Sequence, residues 1–380
     1  MAQHTIIDIA SEVNTTTVAA VEVNPNDNNL HQIVNKSGEV LQFIKPTPSD
    51  GTILQRFAEA TSVFWSIHES VILHFSMFGL LFVPWVRIPV LLYILYVKFY
   101  ATAHRKGAVG WRSRFLRSLP VWKWSAAYYP ITLYRTMPLV PNKKYIFGYH
   151  PHGISFRGAY NSFAVDGTGF SQLFPGLAST LLVTDWVFYA AGYREYALSI
   201  GLDGASKTAC IGNLTKGGHD GHGMGNTITL VLGGRRELEI ARPGTMEVVI
   251  NIRKGFIRVA IETGADLVPV IAFGENQVFD ENKPRETPWK VWYWDTLEKY
   301  LGIKPLRFWG RFGGLTPHRR PIHVVVGRAI PVCKQVNVTE PDPKYVDQLH
   351  QRYVQELVRI WDDWRDEFNV DPSVELKIVE

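Results

Sequence analysis

The chain has 380 residues, of which 46% are hydrophobic and 20% charged, so it is long and apolar enough to build at least one large folded core. Its two cysteines, Cys210 and Cys333, are far apart and form no CxxC pair, which argues against a disulfide framework, a zinc finger or an iron-sulfur cluster. The net charge of +5 is modest, but it is unevenly distributed along the chain.

Residues 1–55 are predicted to be a disordered cytosolic arm. They are rich in Asn, Thr, Asp and Glu, and they show neither helical nor strand periodicity. We expect no cleaved signal peptide there, because the segment lacks the basic and apolar regions that such a peptide needs. The apolar segment that follows is therefore expected to act as both the targeting signal and the membrane anchor.

Residues 62–99 are predicted to form a membrane-embedded helical hairpin. No charged residue occurs from Ser70 to Val86, and ten uncharged residues separate Arg87 from Lys98. Because a membrane span needs about 20 apolar residues, the first segment is marginal and the second is short. A hairpin that enters and leaves on one face is thus as good a solution as two spans, and a buried core hairpin in a soluble protein is the remaining alternative.

The stretch from Ser70 to Val165 contains twelve Lys and Arg but no Asp or Glu, which favours an anionic partner. Aromatic residues typical of the membrane interface adjoin it, namely Trp85, Tyr93, Tyr96 and Tyr100. We therefore predict an anionic cytoplasmic membrane surface, and no nucleic acid, as the partner. The basic residues expected to face that surface are Lys98, Arg105, Lys106, Arg112, Arg114, Arg117 and Lys123.

Residues 100–380 are predicted to form one α/β domain whose mixed sheet is flanked by helices. Buried strands are predicted at 143–149, 226–232, 267–273 and 322–327, and helices at 157–164, 182–191, 192–202, 256–263 and 342–368. Pro269 favours an edge, a bulge or a start for the third of these strands. Residues 284–320, rich in Trp, Pro, Arg and Gly, are interpreted as a long substrate-facing insertion.

One turn stands out chemically. In FGYHPHGISF, residues 147–156, His150 and His152 flank a proline and precede Gly153. Imidazole titrates near neutral pH, so two of them on a rigid turn indicate a general base, a metal site or a polar corner.

Several common catalytic motifs are missing from the sequence: it has no P-loop, no HExxH and no GxSxG. The glycine cluster GGHDGHGMG, residues 217–225, precedes a predicted strand instead of following one, so it is interpreted as a flexible surface loop. His219 and His222 could join His150 and His152 at a metal, but we favour no metal, because catalytic zinc ligands usually sit on rigid elements with supporting acids.

A carboxylate follows a second predicted strand as the histidines follow the first. Glu237 lies in GGRRE, directly after NTITLVL. Residues just beyond the carboxyl ends of neighbouring strands in an open α/β sheet meet at the ligand crevice. Glu237 is therefore predicted to orient an imidazole, with Arg235 or Arg236 meeting an anionic group.

Four blocks, in order, together resemble the signature of the diacylglycerol acyltransferase type 2 family, which includes monoacylglycerol and wax-alcohol acyltransferases. They are YYP at 128–130, YIFGYHPHGI, GNTITLVLGGRRELEIARPG and RKGFIRVAIETGADLVPVIAFGEN. The likeness runs from about residue 63 to the C-terminus. It implies a glycerolipid-acyltransferase-like domain preceded by a membrane hairpin.

The resemblance also implies an enzyme that esterifies a lipid alcohol with acyl-CoA. Diacylglycerol, giving triacylglycerol, is the expected acceptor; a monoacylglycerol or a long-chain alcohol, or a non-catalytic lipid-binding scaffold, are the alternatives. Acyl-CoA is then a substrate, no cofactor is implied, and membrane lipids are partners. The implied location is the endoplasmic reticulum membrane with a cytosolic catalytic domain, and the lipid droplet as a second location. A homo-oligomer is compatible with the sequence.

The related glycerolipid acyltransferases carry a His, four residues and an Asp, but here Ser155 stands five residues after His150. Either His150 acts without that acid, or His152 is the base and Glu237 supplies the carboxylate. We favour His152 with Glu237. No base motif surrounds either cysteine, so a thiol nucleophile is not expected.

The remaining site predictions concern substrate binding. Backbone N–H groups near Gly153, or a helix N-terminus starting there, are expected to hold the oxyanion. Arg253, Lys254 and Arg258 are candidates for the CoA phosphates. Glu275 and Asn276, which follow the strand ending in LVPVIAF, are expected to line the same crevice. These residues complete the predicted site.

Overall fold

The computed structural model describes residues 30–46, 51–281, 292, 296, 308–311, 316–335 and 340–379. Within these residues the strands are β1 Leu30–Val34, β2 Val40–Ile44, β3 Ile131–Arg135, β4 Tyr145–His150, β5 Ala178–Val183, β6 Leu202–Gly204, β7 Asn226–Val231, β8 Met246–Val249, β9 Asp266–Phe273, β10 Asp280–Glu281, β11 Phe308–Trp309, β12 Ile322–Val326 and β13 Leu376–Val379. The α-helices in the same part of the chain are α1 Ile53–Leu80, α2 Arg87–Phe99, α3 Arg114–Arg117, α4 Pro120–Tyr128, α5 Arg157–Ala159, α6 Phe170–Leu173, α7 Tyr193–Ser199, α8 Lys207–Thr215, α9 Gly234–Ile240, α10 Gly255–Thr263 and α11 Pro343–Trp364.

A nine-stranded mixed sheet is the framework, with the strand order β1-β2-β3-β12-β9-β4-β7-β5-β6. Strands β9, β4, β7, β5 and β6 are parallel to one another. Strand β12 runs antiparallel to β9, and β3 runs parallel to β12. Helices pack on both faces of this sheet. The prediction of a mixed sheet flanked by helices is confirmed.

Strand β4 lies in the middle of the sheet and is buried along its whole length. Because side chains alternate between the two faces of a strand, it contributes to both cores. Phe147 and Tyr149 enter the core formed with α4 to α6, whereas Ile146 enters the core formed with α10 and α11. This double burial explains why YIFGYH shows no polar alternation, and it fixes where the strand delivers His150.

Helix α11 covers one face of the sheet. Its buried side chains recur at helical spacing and include Leu349, Tyr353, Leu357 and Trp364. The Asp342 side chain caps the helix start by accepting a hydrogen bond from the Lys344 N–H at 3.0 Å. The predicted helix over 342–368 is confirmed, although the regular part ends at Trp364.

The four predicted strands and the helices predicted at 157–164 and 256–263 agree with the structure to within about two residues. The helix predicted at 256–263 is α10, and Gly264 ends it with a φ of +72°, as a C-terminal cap does. The predicted helix at 157–164 is α5, continued by a π-helical turn over Tyr160–Ala164. These elements hold the segment that follows β4.

Of the three settings expected for Pro269, the edge and the strand start are wrong, because β9 lies between β12 and β4 and begins at Asp266. The bulge is confirmed, because the antiparallel register changes by one residue between the pair Val326–Val270 and the bridge Leu267–Ile330. The Pro269 carbonyl accepts a hydrogen bond from the Gly327 N–H at 2.9 Å, just past the last paired residue of β12. The side of Pro269 that lacks a donor thus faces the point where β12 leaves the sheet. A central strand tolerates proline at such a place.

The helix predicted over 182–191 is also wrong. Leu182 and Val183 end strand β5, and a short 3₁₀ helix follows at Asp185–Tyr189. A short apolar run flanked by polar residues fits either pattern, and here the parallel pairing with β7 decides it. The helix predicted over 192–202 is confirmed as α7. The predicted insertion at 284–320 falls mostly outside the described residues.

The prediction that residues 1–55 are disordered is wrong for the part that the structure describes. Strands β1 and β2 form an antiparallel hairpin, and β2 pairs with β3 at the edge of the main sheet. The Asn35 side-chain oxygen accepts hydrogen bonds from the N–H groups of Ser37 and Glu39, which closes the turn. Residues 1–29 and 47–50 of the predicted arm lie outside the described residues.

Helices α1 and α2 cover the residues of the predicted hairpin, whose embedding in a membrane stays a prediction. Helix α1 begins at Ile53, inside the predicted arm, because Thr52 caps it by accepting from the Gln55 N–H. Among the described residues, α1 is the helix whose length and composition would allow it to cross a membrane. Helix α2 has 13 residues, which at 1.5 Å per residue is about 20 Å, short of a bilayer core of about 30 Å.

The predicted basic surface is only partly exposed. The Arg112 guanidinium donates to the Ala178 carbonyl at 3.0 Å and to the Asn226 side chain at 3.1 Å. The Arg117 guanidinium donates to the Phe163 carbonyl at 3.2 Å. Their assignment to a membrane-facing cluster is therefore wrong, because both guanidinium groups hydrogen-bond to the domain instead of facing outward.

The contact between Gly148 and α11 gives a stability test. A Cβ at Gly148 would lie 2.7 Å from the Leu232 Cδ1 and would also collide with the Tyr353 hydroxyl, whereas a Cβ at Gly110 meets nothing within 4 Å. We expect Gly148→Ala to lower the free energy of unfolding by about 1–3 kcal/mol through overpacking. Gly110→Ala should change it by less than about 0.5 kcal/mol. Thermal unfolding of the detergent-solubilised protein measures both, and equal melting temperatures would contradict this packing.

Candidate active site

Three chain segments meet at one edge of the sheet. Strands β9, β4 and β7 are adjacent and parallel, so their carboxyl ends lie side by side. Strand β4 leads into His150–Gly153, strand β7 is followed by Gly233–Glu237, and strand β9 is followed by Glu275–Asn276. The turn that carries His150 and His152, called the histidine turn below, was predicted to meet the GGRRE segment, and this convergence is confirmed.

Glu237 holds the histidine turn through its backbone. It lies in the first turn of α9 with 1% of its surface exposed. Its Oε2 accepts a hydrogen bond from the His152 N–H at 2.6 Å, and its Oε1 accepts from the Val249 N–H at 3.0 Å. Hydrogen bonds to a carboxylate are stronger than those between neutral groups. The carboxylate therefore ties the turn after β4 to the end of β8.

His150 is fully buried beneath this turn. Its Nε2 lies 3.2 Å from the Tyr353 hydroxyl, which also donates to the Gly148 carbonyl at 3.0 Å. Its Nδ1 lies 3.9 Å from Glu237 Oε1. The ring is thus enclosed between α11 and α9, in a position suited to support the turn and not to contact a substrate.

His152 is only partly buried, and its imidazole has a free nitrogen. Its Nδ1 lies 2.8 Å from the Gly153 carbonyl; because a carbonyl can only accept, Nδ1 carries the proton of the neutral ring. Nε2 then keeps its lone pair, and no described residue hydrogen-bonds to it. Burial lowers the pKa of His152 from its ordinary value of 6.5. The neutral, proton-accepting form is therefore favoured.

The predicted pairing between the Glu237 carboxylate and the His152 ring is wrong. Glu237 binds the His152 backbone, and the ring is oriented by the Gly153 carbonyl instead. Ser155, which replaces the expected aspartate, has a buried hydroxyl with no hydrogen-bond partner among the described residues. The site thus holds an imidazole without a carboxylate at its ring.

Glu275 is fully buried, so its predicted role as a residue lining the crevice is wrong. Its Oε2 accepts from the Tyr149 hydroxyl at 2.6 Å and from the Gly158 N–H at 2.9 Å, and its Oε1 accepts from the Arg157 N–H at 2.6 Å. Burial raises the pKa of Glu275, and these hydrogen bonds oppose that shift. The carboxylate anchors the start of α5.

Backbone N–H groups near Gly153 remain available. Gly153 adopts a φ of +60°, and a Cβ there would meet the Glu275 Cγ at 2.6 Å, so glycine is required. No acceptor among the described residues hydrogen-bonds to the N–H groups from Gly153 to Phe156. The start of α5, by contrast, is already occupied by Glu275. The two oxyanion alternatives thus reduce to the donors of residues 153–156.

Arg253 contacts the start of the GGRRE segment. Its guanidinium donates to the Gly233 carbonyl at 3.3 Å, at the start of the GGRRE segment, and its Nε is buried with no hydrogen-bond partner among the described residues. Lys254 forms an ion pair with Asp347 at 2.7 Å. Arg253 is the predicted phosphate ligand that the fold brings to the GGRRE segment.

The other basic candidates are on the surface. Arg235 and Arg236 are exposed on α9, and Arg235 forms an ion pair with Glu239 one turn later at 2.9 Å. Arg258 is exposed on α10. These three side chains belong to the outer rim of the region and do not contact the histidine turn.

Asn276 lies behind the turn. Its side-chain amide donates to the Thr245 carbonyl at 3.0 Å, while its buried Oδ1 has no partner among the described residues. Together with Pro151 and Trp361 it lines a small cavity. Asn276 thus lies beside Pro151, whereas its predicted place in the lining of the substrate crevice stays a prediction.

Two residues of this region were missed by sequence reasoning. Tyr353 looked like one more apolar position of α11, although a buried tyrosine hydroxyl usually needs a partner. Arg157, with 6% of its surface exposed, donates to the Ser155 carbonyl at 2.8 Å and to the Ser66 carbonyl at 3.0 Å. An arginine among Gly, Ala and aromatic residues was the available signal for it.

Thiol and metal chemistry gain no support from the described residues. Both cysteines are free, and burial raises the pKa of Cys210 to about 12. The loop with His219 and His222 precedes β7, so it lies at the opposite edge of the parallel strands from His150. No group of three or more potential ligands in the described part of the chain could hold a metal ion.

Comparisons with known proteins bear on this arrangement. A family model described as diacylglycerol acyltransferase matches residues 79–379. The chain is 35% identical over 363 residues to "Diacylglycerol O-acyltransferase 2A" of Umbelopsis ramanniana, covering 93% of this chain and 99% of the relative. The chain belongs to the diacylglycerol acyltransferase family. The histidine turn, the GGRRE segment and Glu275 all lie within the region that the family model matches.

Two further relatives differ in the acceptor that their names state. The chain is 37% identical over 286 residues to human "2-acylglycerol O-acyltransferase 1", covering 73% of this chain and 83% of the relative. It is 35% identical over 274 residues to "Diacylglycerol O-acyltransferase 1" of Schizosaccharomyces pombe, covering 70% and 76%. No solved structure is a significant match. As a member of the diacylglycerol acyltransferase family, the protein is an acyltransferase.

The Glu237 contacts can be tested by an isosteric change. Glu237→Gln replaces one accepting oxygen with an NH₂ group, which then faces the N–H of His152 or Val249. Leaving a buried donor unsatisfied should lower the free energy of unfolding by about 1–3 kcal/mol. Glu239→Gln, at an exposed position of the same helix, should have little effect. Thermal unfolding measures the difference. A Glu237→Gln protein as stable as the unaltered one would contradict the two hydrogen bonds assigned to the Glu237 carboxylate.

Proposed function

We propose that this diacylglycerol acyltransferase family member transfers an acyl group from acyl-CoA to diacylglycerol and so forms triacylglycerol. Family membership and the names of the relatives support the reaction class. The observation that carries the mechanism is the partly buried His152, whose Nδ1 is held by a carbonyl and whose Nε2 is free. A neutral imidazole in that state can take a proton from an alcohol.

In the proposed first step the acceptor hydroxyl attacks the thioester carbonyl while His152 Nε2 takes its proton. A new C–O bond forms, and the carbonyl oxygen becomes an oxyanion. The tetrahedral intermediate then collapses, the C–S bond breaks, and the CoA thiolate recovers the proton from the imidazolium. Base assistance of this kind typically contributes ~10²- to 10⁴-fold to the rate. No covalent acyl-enzyme is needed.

The oxyanion requires donors that are fixed in place before the reaction. The unoccupied N–H groups of residues 153–156 fit this need, because Glu237 and Glu275 hold the chain on either side of them. Donors that are already oriented cost no reorganisation when the charge develops. This part of the proposal therefore assigns the backbone, and no side chain, to the oxyanion.

The CoA phosphates require cations near the same edge. Arg253 is our candidate, since its guanidinium lies against the Gly233 carbonyl, and Lys254 follows it in the chain. The exposed Arg235, Arg236 and Arg258 are outer contacts in this proposal. A guanidinium binds phosphate through two parallel hydrogen bonds, which suits an anion with several oxygens.

We assign His150 and Glu237 to positioning. Both are buried, and they contact each other and the turn, not an open surface. Asn276 lies near the turn, where it lines a small cavity together with Pro151.

A membrane setting fits the proposed substrates. The outward side chains of the α1–α2 hairpin are apolar and include Phe75, Phe82, Trp85, Leu92 and Phe99. Lys98, Arg105 and Arg114 are exposed near it and would favour an anionic cytoplasmic leaflet. We therefore propose the endoplasmic reticulum membrane and the lipid droplet as its locations, with the α/β domain in the cytosol and diacylglycerol supplied by the lipid phase.

A 2-acylglycerol is the second candidate acceptor, because the human relative at 37% identity carries that activity in its name. The two acceptors differ by one acyl chain, a difference that pocket shape decides. Microsomes carrying the protein, given labelled acyl-CoA and each acceptor in parallel, would rank the two. Labelled triacylglycerol should predominate, and faster labelling of diacylglycerol from the monoacyl acceptor would replace the proposal with the second candidate.

The base assignment separates the two histidines. His152→Ala should lower the rate of triacylglycerol synthesis by at least about 100-fold with little change in the melting temperature, since the hydrogen bond of its ring within the described part of the chain is a local one, to the Gly153 carbonyl. His219→Ala, on the loop at the opposite edge of the sheet, should leave the rate unchanged. Labelled product after thin-layer separation is the measurement. Full activity in His152→Ala would disprove the assignment.

His150→Ala should behave differently from His152→Ala. It leaves a cavity between α9 and α11 and removes the partner of the Tyr353 hydroxyl, so the protein should lose about 2–4 kcal/mol of stability. Activity should fall together with the folded fraction. A His150→Ala protein of normal melting temperature but no activity would instead identify His150 as the base.

The lowered pKa of His152 predicts a pH dependence. A base acts in its neutral form, so a pKa below 6.5 moves the acid limb of kcat/KM below pH 6.5 and leaves activity flat through pH 7. The rate at which diethyl pyrocarbonate modifies His152, followed by peptide mass spectrometry across pH, titrates the same group directly. A midpoint at or above pH 6.5 in that modification profile would contradict the burial effect.

A further inference from the structure

Helix α1 docks on the domain with its polar side. Its buried residues are Glu59, Ser62, Val63, Ser66 and Glu69, whereas its large apolar side chains face outward. This is the reverse of a helix on a soluble domain, which buries its apolar side. The buried side chains of α1 are therefore mostly polar, and Val63 adds apolar packing against the core.

Two of these contacts are formed by the acidic residues of α1. Glu59 forms an ion pair with Arg319 at 2.6 Å. Glu69 accepts hydrogen bonds from the hydroxyls of Tyr160, Tyr193 and Tyr196. Neither carboxylate lies on the histidine turn itself, so they attach the helix without reaching the candidate base.

A third contact does reach the histidine turn. The buried guanidinium of Arg157 donates from Nη1 to the Ser66 carbonyl at 3.0 Å and to the Ser66 hydroxyl at 3.3 Å. Its Nε donates to the Ser155 carbonyl at 2.8 Å. The same residue gives its backbone N–H to Glu275. One arginine thus joins the membrane-type helix, the segment after His152 and the end of β9.

The segment between His152 and Arg157 is strained and needs such support. Phe156 adopts a φ of +38° and a ψ of +42°, a left-handed conformation that is unfavourable for a residue other than glycine. The Phe156 ring packs edge-on against the His152 imidazole with centroids 5.6 Å apart, and the Arg157 guanidinium lies 5.7 Å from the centre of the Phe156 ring. Moving the guanidinium would release this conformation and, through the phenyl ring, the imidazole.

We propose that Arg157 is a positioning residue that couples the docking of α1 to the orientation of His152. The inference rests on the proposed function, because it assigns His152 the role of base. Its physical basis is the planar guanidinium, which holds two carbonyl groups from different segments at once. A lysine ammonium keeps the charge but lacks that rigid fork. When α1 separates from the domain, the guanidinium loses its two Ser66 acceptors. The Arg157 side chain then no longer holds the Ser155 carbonyl in a fixed position.

The test compares Arg157→Lys with Arg319→Lys in the full-length protein reconstituted into phosphatidylcholine vesicles that contain diacylglycerol. Both variants weaken one contact of α1, but only Arg157 touches the histidine turn. For Arg157→Lys we expect kcat to fall about 10- to 100-fold, with the KM for acyl-CoA within twofold. Arg319→Lys should keep kcat within about twofold, because Arg319 pairs with Glu59 of α1 and this ion pair includes no residue of the histidine turn.

A second measurement does not depend on turnover. The rate at which diethyl pyrocarbonate modifies His152, relative to His219 in the same sample, should change at least threefold in Arg157→Lys and stay constant in Arg319→Lys. If Arg157→Lys does not accumulate, Ser66→Ala replaces it, since this change deletes one acceptor of the guanidinium. Its expected effect is a smaller fall in kcat, of about two- to fivefold.

The outcomes separate this inference from the proposed function. A wild-type protein that forms no ester, while His152 modification still depends on Arg157, would refute the function and keep the coupling. An Arg157→Lys protein with normal kcat and normal His152 reactivity would refute the coupling while the function stands. Equal losses in Arg157→Lys and Arg319→Lys would mean that α1 docking alone matters, and would also overturn the assignment.

Discussion

The geometry of the candidate site depends on one buried carboxylate that binds backbone and not side chains. Glu237 accepts from the N–H groups of His152 and Val249, which belong to segments after β4 and at the end of β8. Burying a carboxylate is costly unless every oxygen has a donor, and both oxygens have one. The turn can therefore take up only the path that supplies its N–H to Glu237. The direction of the His152 ring then follows from the path of its main chain.

Glu275 does the same on the other side of the turn, where it accepts from the N–H groups of Arg157 and Gly158. Between the two carboxylates lie the four N–H groups of residues 153–156, which have no acceptor among the described residues. A chain segment held at both ends, with its donors unused in the middle, is preorganised for an anion. The candidate site is therefore built chiefly from backbone groups, and the base that we propose for it is the His152 imidazole.

The main chain of the site could be located from sequence, whereas its contacts could not. Buried strands rich in apolar and β-branched residues, such as β4 and β7, and the glycine cap of α10 are encoded locally, so their ends were placed to within about two residues. Convergence of their carboxyl ends then follows from parallel topology. Which atom of Glu237 meets which atom of His152 depends on distant segments, and the expected contact between their side chains proved to be one with the backbone.

Other errors have equally specific causes. The hairpin of β1 and β2 has a clear turn at Asn35, but residues 1–55 are polar and lack a periodic pattern, so edge pairing with β3 was not foreseen. The central position of Pro269 could not be anticipated, because it depends on where β12 leaves the sheet. Arg157 was overlooked because its partners come from α1, about ninety residues earlier in the chain.

The polar seat of α1 has a practical consequence for handling the protein. A membrane anchor that merely adheres through apolar side chains can be cut away to leave a soluble domain. Here, truncation before the domain would remove partners from the Arg157 guanidinium and from the hydroxyls of Tyr160 and Tyr193, and would expose these groups beside the candidate active site. Helix α1 is thus a structural part of the domain, and shortened versions for crystallisation should retain it from Thr52 onward.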